Sequence, residues 1–341
     1  MLKLSTMIGS MPYNDAKEAV RIVMENLAIP VWPQLPKINF KENMYSQYSE
    51  GLPCIVVDDK NQKIFFDTDG DTLLELEKFY EKIISDDLEY FKISQNYAYG
   101  FHEFNSQLSI SNSKFSTIKG QITGPITFGL KVTDKSNRSM FYNEQFVDVI
   151  VKALTMKARW QIRQFRNQRY DQGKVIMFID EPYLSAFGSA FTQVSKDEVI
   201  KYLNEVVDGI HIENALSGVH CCGNTDWSIL MDTKIDIISF DAYSFFDGLA
   251  LYPEKLNRFF ERGGVLSWGI VPSSEQINSE TVVSLTENFI RKTEYLIKKG
   301  VSETAVRNRY LVTPSCGVGS LTNELAEKII VTTKNVAENL M

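Results

Sequence analysis

The chain has 341 residues, and its 36 basic and 43 acidic side chains give a net charge of −7. This acidic balance argues against a nucleic-acid-binding protein, whose surface carries a basic patch, and a hydrophobic content of 44% excludes wholesale disorder. No apolar run approaches the roughly 20 residues of a membrane-spanning helix, so we expect no membrane contact. The N-terminus has no secretory signal pattern and the four cysteines do not resemble a disulfide framework, which predicts a reducing, cytoplasmic compartment.

Short apolar, β-rich runs alternate with longer amphipathic stretches, as is typical of parallel β/α units. The predicted strands are Leu4–Ile8, Ile29–Trp32, Thr117–Ile122, Val175–Ile179, Ala215–His220, Ile235–Phe240, Gly264–Trp268 and Tyr310–Val312. Amphipathic helices are predicted between most of them, at Asp15–Leu27, Asn143–Gln168, Lys196–Asp208, Thr281–Lys299 and Leu321–Asn339. Eight strands with intervening helices predict the α/β fold class, with one (β/α)8 TIM barrel over residues 1–341.

The stretch after the second predicted strand is too long for a simple connection from strand to helix. It contains a hairpin-like piece, Cys54–Val57 and Lys63–Phe66, followed by helical pieces at Leu73–Ile84 and Asp87–Phe91. We therefore expect residues 37–114 to be an insertion within the barrel domain that covers one of its ends.

Polar and sulfur-bearing residues follow the predicted strands, at the end of the barrel where active sites lie. Residues of this kind are Gly9-Ser10, Gln34, Thr123-Gly124, Asp180-Glu181, His220-Cys221-Cys222, Asp241 and Ser315-Cys316. Their concentration at these points is stronger evidence for an active site than any single motif.

A metal site is predicted first among these candidates. His220 and Cys222 are two apart, so they point to the same side of an extended chain end, whereas Cys221 faces into packing. Cys316 follows the last strand, and Asp241 follows the sixth, where it supplies an oxygen as a fourth ligand or as a partner of His220. Sulfur and imidazole ligands favour zinc. The competing interpretation is that each cysteine is only a small buried hydrophobe.

The carboxylate pair Asp180-Glu181 at the end of the fourth strand has two interpretations. It binds an amine or acts in acid–base catalysis, or it belongs to the N-terminus of a helix, where acidic residues are common. Ser10 likewise offers a hydroxyl to a substrate or belongs to a simple turn.

Several motifs together resemble the catalytic half of cobalamin-independent methionine synthase, whose barrel is shared by the uroporphyrinogen decarboxylase superfamily. They are Met7-Ile8-Gly9-Ser10-Met11-Pro12, Thr123-Gly124-Pro125-Ile126-Thr127, Ile179-Asp180-Glu181-Pro182, His220-x-Cys222 and Pro314-Ser315-Cys316-Gly317, in the family's order. The resemblance implies a zinc site of His220, Cys222 and Cys316, with Asp241 where the family has a glutamate ligand. It also implies that Ser10 and Asp180 contact the amino-acid part of homocysteine.

The chain departs from the family pattern in three ways. Gln34 stands where the family has a glutamate, which removes a negative charge from the expected ammonium site. A length of 341 residues leaves no room for the family's duplicated N-terminal barrel. The tryptophan that stacks on folate is not evident in Phe128-Gly129-Leu130-Lys131, so the sequence disfavours folate and favours a methylated corrinoid protein as donor.

The sequence therefore predicts a zinc-dependent enzyme that methylates a thiol, homocysteine or a relative, from a methylcorrinoid protein or methyltetrahydrofolate. We assign Asp180 as catalytic and Ser10, Gln34, Asp180 and Glu181 as substrate-binding. Three alternatives stay open at this point: a uroporphyrinogen-decarboxylase-like enzyme, a zinc-bearing accessory protein that docks a corrinoid partner without catalysis, and a metallohydrolase.

Overall fold

A computed structural model of the chain is a mixed α/β fold, and it describes residues 2–110, 115–167, 173–189 and 192–341. The strands are β1 Leu2–Ser5, β2 Ile55–Asp58, β3 Lys63–Phe66, β4 Thr117–Thr123, β5 Thr133–Asp134, β6 Lys174–Asp180, β7 Leu216–Cys221, β8 Ile237–Phe240, β9 Val265–Val271 and β10 Arg309–Pro314. The helices are α1 Ala16–Asn26, α2 Thr72–Ile84, α3 Tyr99–Ile110, α4 Pro125–Lys131, α5 Glu144–Asn167, α6 Lys196–Ile212, α7 Trp227–Met231, α8 Phe246–Leu249, α9 Pro253–Glu261, α10 Val282–Lys298, α11 Glu303–Asn308 and α12 Asn323–Asn339.

Seven parallel strands form one curled sheet in the order β1-β10-β9-β8-β7-β6-β4. These are seven of the eight strands that the sequence predicts, each displaced by no more than a few residues. The sheet curls because neighbouring strands are rotated relative to one another by their right-handed twist. It is a curled open sheet, and the closed eight-stranded barrel predicted from the sequence is not formed by strand ladders within the described residues.

The predicted strand Ile29–Trp32 is wrong as a strand, although the segment lies between the two edges of the sheet. The Ile29 N–H donates to the Ser5 carbonyl at 2.9 Å, and the Lys119 N–H donates to the Pro30 carbonyl at 2.9 Å. Within the segment, one isolated parallel bridge joins Val31 to Lys119. Pro30 and Pro33 lack backbone N–H groups, so a regular ladder cannot run through it.

The inner face of the sheet has an apolar layer beneath a polar one. The apolar layer is a separate cluster in which the partly buried Leu4 and Leu216 pack against buried side chains, namely Ile29, Ile176, Phe178, Ile237, Val265 and Leu311. Asp180 lies two residues beyond Phe178 and on the same face of the sheet. It pairs with His220 on β7, His220 pairs with Ser239 on β8, and Ser239 pairs with Ser267 on β9. The polar layer is therefore at the carboxyl ends of the strands.

Helices cover the outer face of the sheet, and their bounds agree with the predicted ones to within a few residues. Helix α1 begins after Asp15, whose carboxylate accepts from Lys17 N–H at 2.8 Å. Helix α6 begins with a capping box between Ser195 and Glu198. The predicted end of α5 at residue 168 lies outside the described residues. No helix in the described ranges is both long and apolar enough to cross a membrane.

The segment after residue 34 crosses the carboxyl end of β4. Its hairpin of β2 and β3 is present as predicted and joins β5 in a small three-stranded sheet of its own. The Tyr48 hydroxyl donates to the Gln121 carbonyl at 2.8 Å, and the Thr123 hydroxyl donates to the Met44 carbonyl. These bonds hold residues 44–48 over the polar layer. Residues 111–114 of the predicted insertion lie outside the described residues.

Candidate metal centre

Three predicted ligands meet at the carboxyl ends of the strands. The ligand atoms of His220, Cys222 and Cys316 all lie within 4.8 Å of one another. His220 is on β7, Cys222 follows that strand directly, and Cys316 follows β10. The structure thus brings together two cysteines that are 94 residues apart in the chain, since β7 and β10 both end at this edge of the curled sheet.

The imidazole of His220 is oriented by a hydroxyl and keeps one nitrogen free. Its Nδ1 is 3.1 Å from the Ser239 hydroxyl, while its Nε2 is buried and has no hydrogen-bond partner. A buried polar atom without a partner is costly. A metal ion bound to Nε2 and two sulfurs would satisfy it, and this donor set is one that zinc prefers. The residues present therefore fit a zinc ion.

The two thiols of the cluster shift each other's pKa in opposite directions. The interaction with Cys316, followed by that with His220, lowers the pKa of the Cys222 thiol to about 4. The interaction with Cys222, together with burial, raises the pKa of the Cys316 thiol. A thiol whose pKa is lowered is a ready soft ligand for a metal ion.

Two neighbours of the cluster have different surroundings. Asp241 is not among the side chains whose ligand atoms lie within 4.8 Å of one another, and its carboxylate accepts from Ser244 N–H at 2.8 Å. Direct ligation by Asp241 stays a prediction. Cys221 is fully buried with its sulfur 3.5 Å from the Gly223 carbonyl, and burial raises its pKa to about 12. Its predicted packing role is confirmed.

Ser10 lies beside the loop that carries Cys316. Its hydroxyl accepts from Gly319 N–H at 3.4 Å, and its carbonyl accepts from Val318 N–H at 3.0 Å. A Cβ atom on Gly317 would lie 2.1 Å from the Ser10 hydroxyl. Glycine at position 317 is what lets this hydroxyl approach the cluster.

Gln34 pairs with Ser10 through an isolated parallel bridge, but its amide group faces inward. The Gln34 Nε2 donates to Gln47 Oε1 at 2.8 Å and to the Tyr48 hydroxyl at 3.3 Å. The amide hydrogens of Gln34 are therefore bound to the segment that crosses β4. Substrate binding by Gln34 stays a prediction.

Asp180 ends β6 next to the cluster and is 7% exposed. Its Oδ1 is buried without a hydrogen-bond partner. Burial raises the pKa of Asp180 to about 6, against the opposing charges of Lys119 and His220. A buried carboxylate with a free oxygen is suited to receive a cationic group of a ligand.

Glu181 is held by the N-terminus of helix α4. Its two oxygens accept from Ile126 N–H at 3.0 Å and Thr127 N–H at 2.7 Å, so it caps helix α4. A Cβ atom on Gly124 would lie 2.1 Å from the Glu181 Cδ, which explains the glycine before Pro125. Both oxygens are occupied and the side chain is fully buried. Substrate binding by Glu181 stays a prediction.

Sequence reasoning missed Lys119 and Gln121, which lie in the polar layer and are both fully buried. The Gln121 Nε2 donates to the Trp32 carbonyl at 3.0 Å. The strand Thr117–Thr123 alternates polar with apolar or glycine residues although all seven are buried. That alternation was the available signal, because a strand buried on both faces is usually a continuous apolar run.

No protein-family model matches the chain, and no curated protein matches it. Among solved structures, a B12-independent methionine synthase from Shewanella sp. W3-18-1 is 17% identical, with a TM-score of 0.44 over 69% of this chain and 66% of that one. A methyltransferase from Methanosarcina mazei is 14% identical, with a TM-score of 0.51 over 97% and 91%. A GH20 catalytic module of the pneumococcal exo-beta-D-N-acetylglucosaminidase StrH is 12% identical, with a TM-score of 0.47 over 98% and 85%. Of these three, the M. mazei protein is similar enough to indicate a shared fold.

Proposed function

We propose that this chain is a zinc-dependent methyltransferase that moves a methyl group to a thiol. The observation that supports it most is the meeting of His220, Cys222 and Cys316 at the ends of parallel strands, with a free buried nitrogen on His220. Zinc, when bound, lowers the pKa of a coordinated thiol and so supplies a thiolate at neutral pH. Two sulfur ligands suit this chemistry better than hydrolysis, for which histidine and carboxylate ligands are usual.

The side chains around the metal site have separate roles in this proposal. His220 Nε2 and the sulfurs of Cys222 and Cys316 would hold the ion. The free Oδ1 of Asp180 would receive the ammonium group of an amino-acid thiol, homocysteine or a relative. Ser10 would orient the same substrate through its hydroxyl. The transfer forms a sulfur–carbon bond and breaks the donor's bond to the methyl carbon; the donor keeps the electron pair, and the thiol proton passes to solvent.

The methyl donor in this proposal is a methylcorrinoid protein or methyltetrahydrofolate. The donor would approach from the open ends of the strands, under the segment of residues 44–48 that crosses β4. The M. mazei protein of similar fold is named a methyltransferase, and this agrees with the proposal at the level of fold.

We also propose that residues 29–34, although not a strand, fill the gap between β1 and β4, so that 1–341 is one barrel-like domain with 37–114 as an insertion. The hydrogen bonds of Ile29 to β1 and of Pro30 to β4 support this arrangement. The isolated bridges of the segment do so as well.

An activity assay tests the proposed function. Purified, zinc-loaded protein is given methylcobalamin or methyltetrahydrofolate with homocysteine or coenzyme M, and the methylated thiol is measured. We expect methylation of one thiol that disappears on zinc removal and returns on zinc addition. Bound zinc without methylation of any thiol would favour the accessory protein, and a metal-free protein would favour the uroporphyrinogen-decarboxylase-like alternative.

A further inference from the structure

Lys292 is a half-buried lysine of helix α10 whose ammonium group binds to backbone carbonyls. Its Nζ donates to the Ala242 carbonyl at 2.6 Å and to the Tyr243 carbonyl at 3.4 Å, and it lies 5.0 Å from the centre of the Phe246 ring. A cation that is withdrawn from water needs such partners. All three contacts are with the segment that follows β8, so Lys292 ties helix α10 to that segment.

The segment that Lys292 holds begins with Asp241, directly after β8. Cys221 on β7 and Phe240 on β8 are register partners, so the next residues, Cys222 and Asp241, leave the two strands side by side. The Asp241 side chain is buried. Asp241 therefore lies next to one of the candidate metal ligands.

The backbone around Asp241 forms a turn that is attached on two sides. Within the turn, the Asp241 carboxylate accepts from Ser244 N–H at 2.8 Å, so the carboxylate moves with the backbone of the turn. The Tyr243 N–H donates to the Gly269 carbonyl of β9 at 3.0 Å, which attaches the turn to the sheet. Lys292 attaches it to helix α10 through the two carbonyls that directly follow Asp241.

We propose that Lys292 is a positioning residue of the metal centre. Its ammonium group holds the two carbonyls after Asp241 and thereby keeps the Asp241 carboxylate beside the cluster of His220, Cys222 and Cys316. Lys292 acts through Asp241 and does not bind the ion itself. The anchoring of the turn stands on hydrogen bonds alone. The consequence for zinc rests on the proposed function, because it assumes that the cluster binds zinc.

Hydrogen exchange tests the anchoring whether or not zinc is bound. Exchange is followed by mass spectrometry in peptides of the full chain, for wild type and Lys292→Met. We expect the amides of residues 242–246 to exchange about tenfold faster or more in Lys292→Met, while peptides from β6 and β7 keep the wild-type rate. Lys292→Arg retains hydrogen-bond donors and should exchange within about threefold of wild type. Unchanged exchange of residues 242–246 in Lys292→Met would overturn the anchoring.

A double-mutant cycle on zinc affinity tests the positioning role. Affinity is measured by competition with a chelator for wild type, Lys292→Met, Asp241→Ala and the double variant. We expect Lys292→Met to weaken zinc by about tenfold or more in the wild type and by less than about threefold in the Asp241→Ala background. Equal losses in the two backgrounds would overturn the role, and so would an unchanged affinity in Lys292→Met. If Lys292→Met does not fold, Lys292→Gln takes its place with the same expectations.

Lys255→Met is the matched control for both experiments. Lys255 is also half-buried, and its Nζ donates to the Ser228 carbonyl at 3.2 Å and to Asp232 at 2.7 Å. These bonds are with helix α7 and the residue that follows it, so Lys255→Met should leave zinc affinity and the exchange of residues 242–246 unchanged. Equal effects of Lys255→Met and Lys292→Met would overturn the proposal.

The two experiments separate this proposal from the proposed function. If the wild type binds zinc but the cycle shows equal losses, the role of Lys292 fails and the metal site stands. If the wild type binds no zinc, the proposed function and the metal role of Lys292 both fail, and hydrogen exchange still decides whether Lys292 anchors the turn.

Discussion

Asp180 and His220 are register partners on β6 and β7, and each keeps one buried polar atom without a hydrogen-bond partner. The free atoms are Oδ1 of Asp180 and Nε2 of His220. Because paired residues of a parallel sheet point to the same face, both atoms belong to one place at the carboxyl ends of the strands. Most buried polar atoms in folded proteins have a hydrogen-bond partner, and these two free atoms lie beside the candidate metal ligands, which favours a place for a ligand.

Replacing Cys316 by serine is expected to remove zinc from the protein. The variant loses one of three ligands that lie within 4.8 Å of one another. Zinc affinity should fall by more than the about 10–100-fold that is lost when a residue that hydrogen-bonds to a ligand is removed. Metal content after dialysis measures it. Cys221→Ser is the matched control, since Cys221 is buried outside the cluster, and unchanged zinc in Cys316→Ser would contradict the site.

Replacing Ser239 by alanine is expected to weaken zinc without removing a ligand. The Ser239 hydroxyl is 3.1 Å from His220 Nδ1 and fixes the orientation of the ring. We expect an affinity loss of about 10–100-fold, measured by competition with a chelator. Ser267→Ala is the control, because Ser267 is the register partner of Ser239 and its hydroxyl has no hydrogen-bond partner. Equal effects of the two substitutions would contradict the orienting role.

Gly124→Ala is expected to destabilise the fold. The new Cβ would lie 2.1 Å from Glu181 Cδ, so the carboxylate must leave the N–H groups of Ile126 and Thr127. Two buried donors without partners cost about 2–6 kcal/mol in the free energy of unfolding, measured by urea denaturation. Gly70→Ala is the control, since nothing lies within 4 Å of its Cβ position. A loss no larger than that of the control would show that Glu181 is not held at α4.

Glu181 should also make stability depend on pH. Burial raises its pKa to about 7 from the ordinary 4.5. The pKa of Glu181 is higher in the folded protein than in the unfolded chain. Its contribution to the free energy of unfolding is therefore complete below about pH 4.5 and is lost as the pH rises through about 7. The free energy of unfolding of wild type relative to Glu181→Gln should therefore fall by up to about 3 kcal/mol over this range. A difference that rises with pH would show that the helix N-terminus stabilises the carboxylate instead.

The sequence predicted which residues meet in the candidate metal centre, because side chains at strand ends depend on local spacing and on a fold with parallel strands. His220 and Cys222 are two apart on one chain end, and Cys316 follows another strand. Prediction from the sequence failed where contacts with residues distant in the chain determine the local structure. Pro30 and Pro33 interrupt a ladder that the apolar run Ile29–Trp32 alone suggested.

The roles of single acidic and basic residues were less predictable. Glu181 follows β6 but caps α4, which begins 56 residues earlier at Pro125, and no local pattern shows that contact. Lys119 was visible only as a polar interruption of a buried strand.

X-ray absorption at the zinc edge tests the central claim most directly, because it counts the sulfur ligands of the bound ion. The site of Cys222 and Cys316 predicts two sulfur ligands in the zinc-loaded protein. Adding homocysteine should raise the count to three, whereas a thiol that is not a substrate should leave it at two. A zinc spectrum that does not change with homocysteine or with any other thiol, or one without sulfur ligands, would contradict the account.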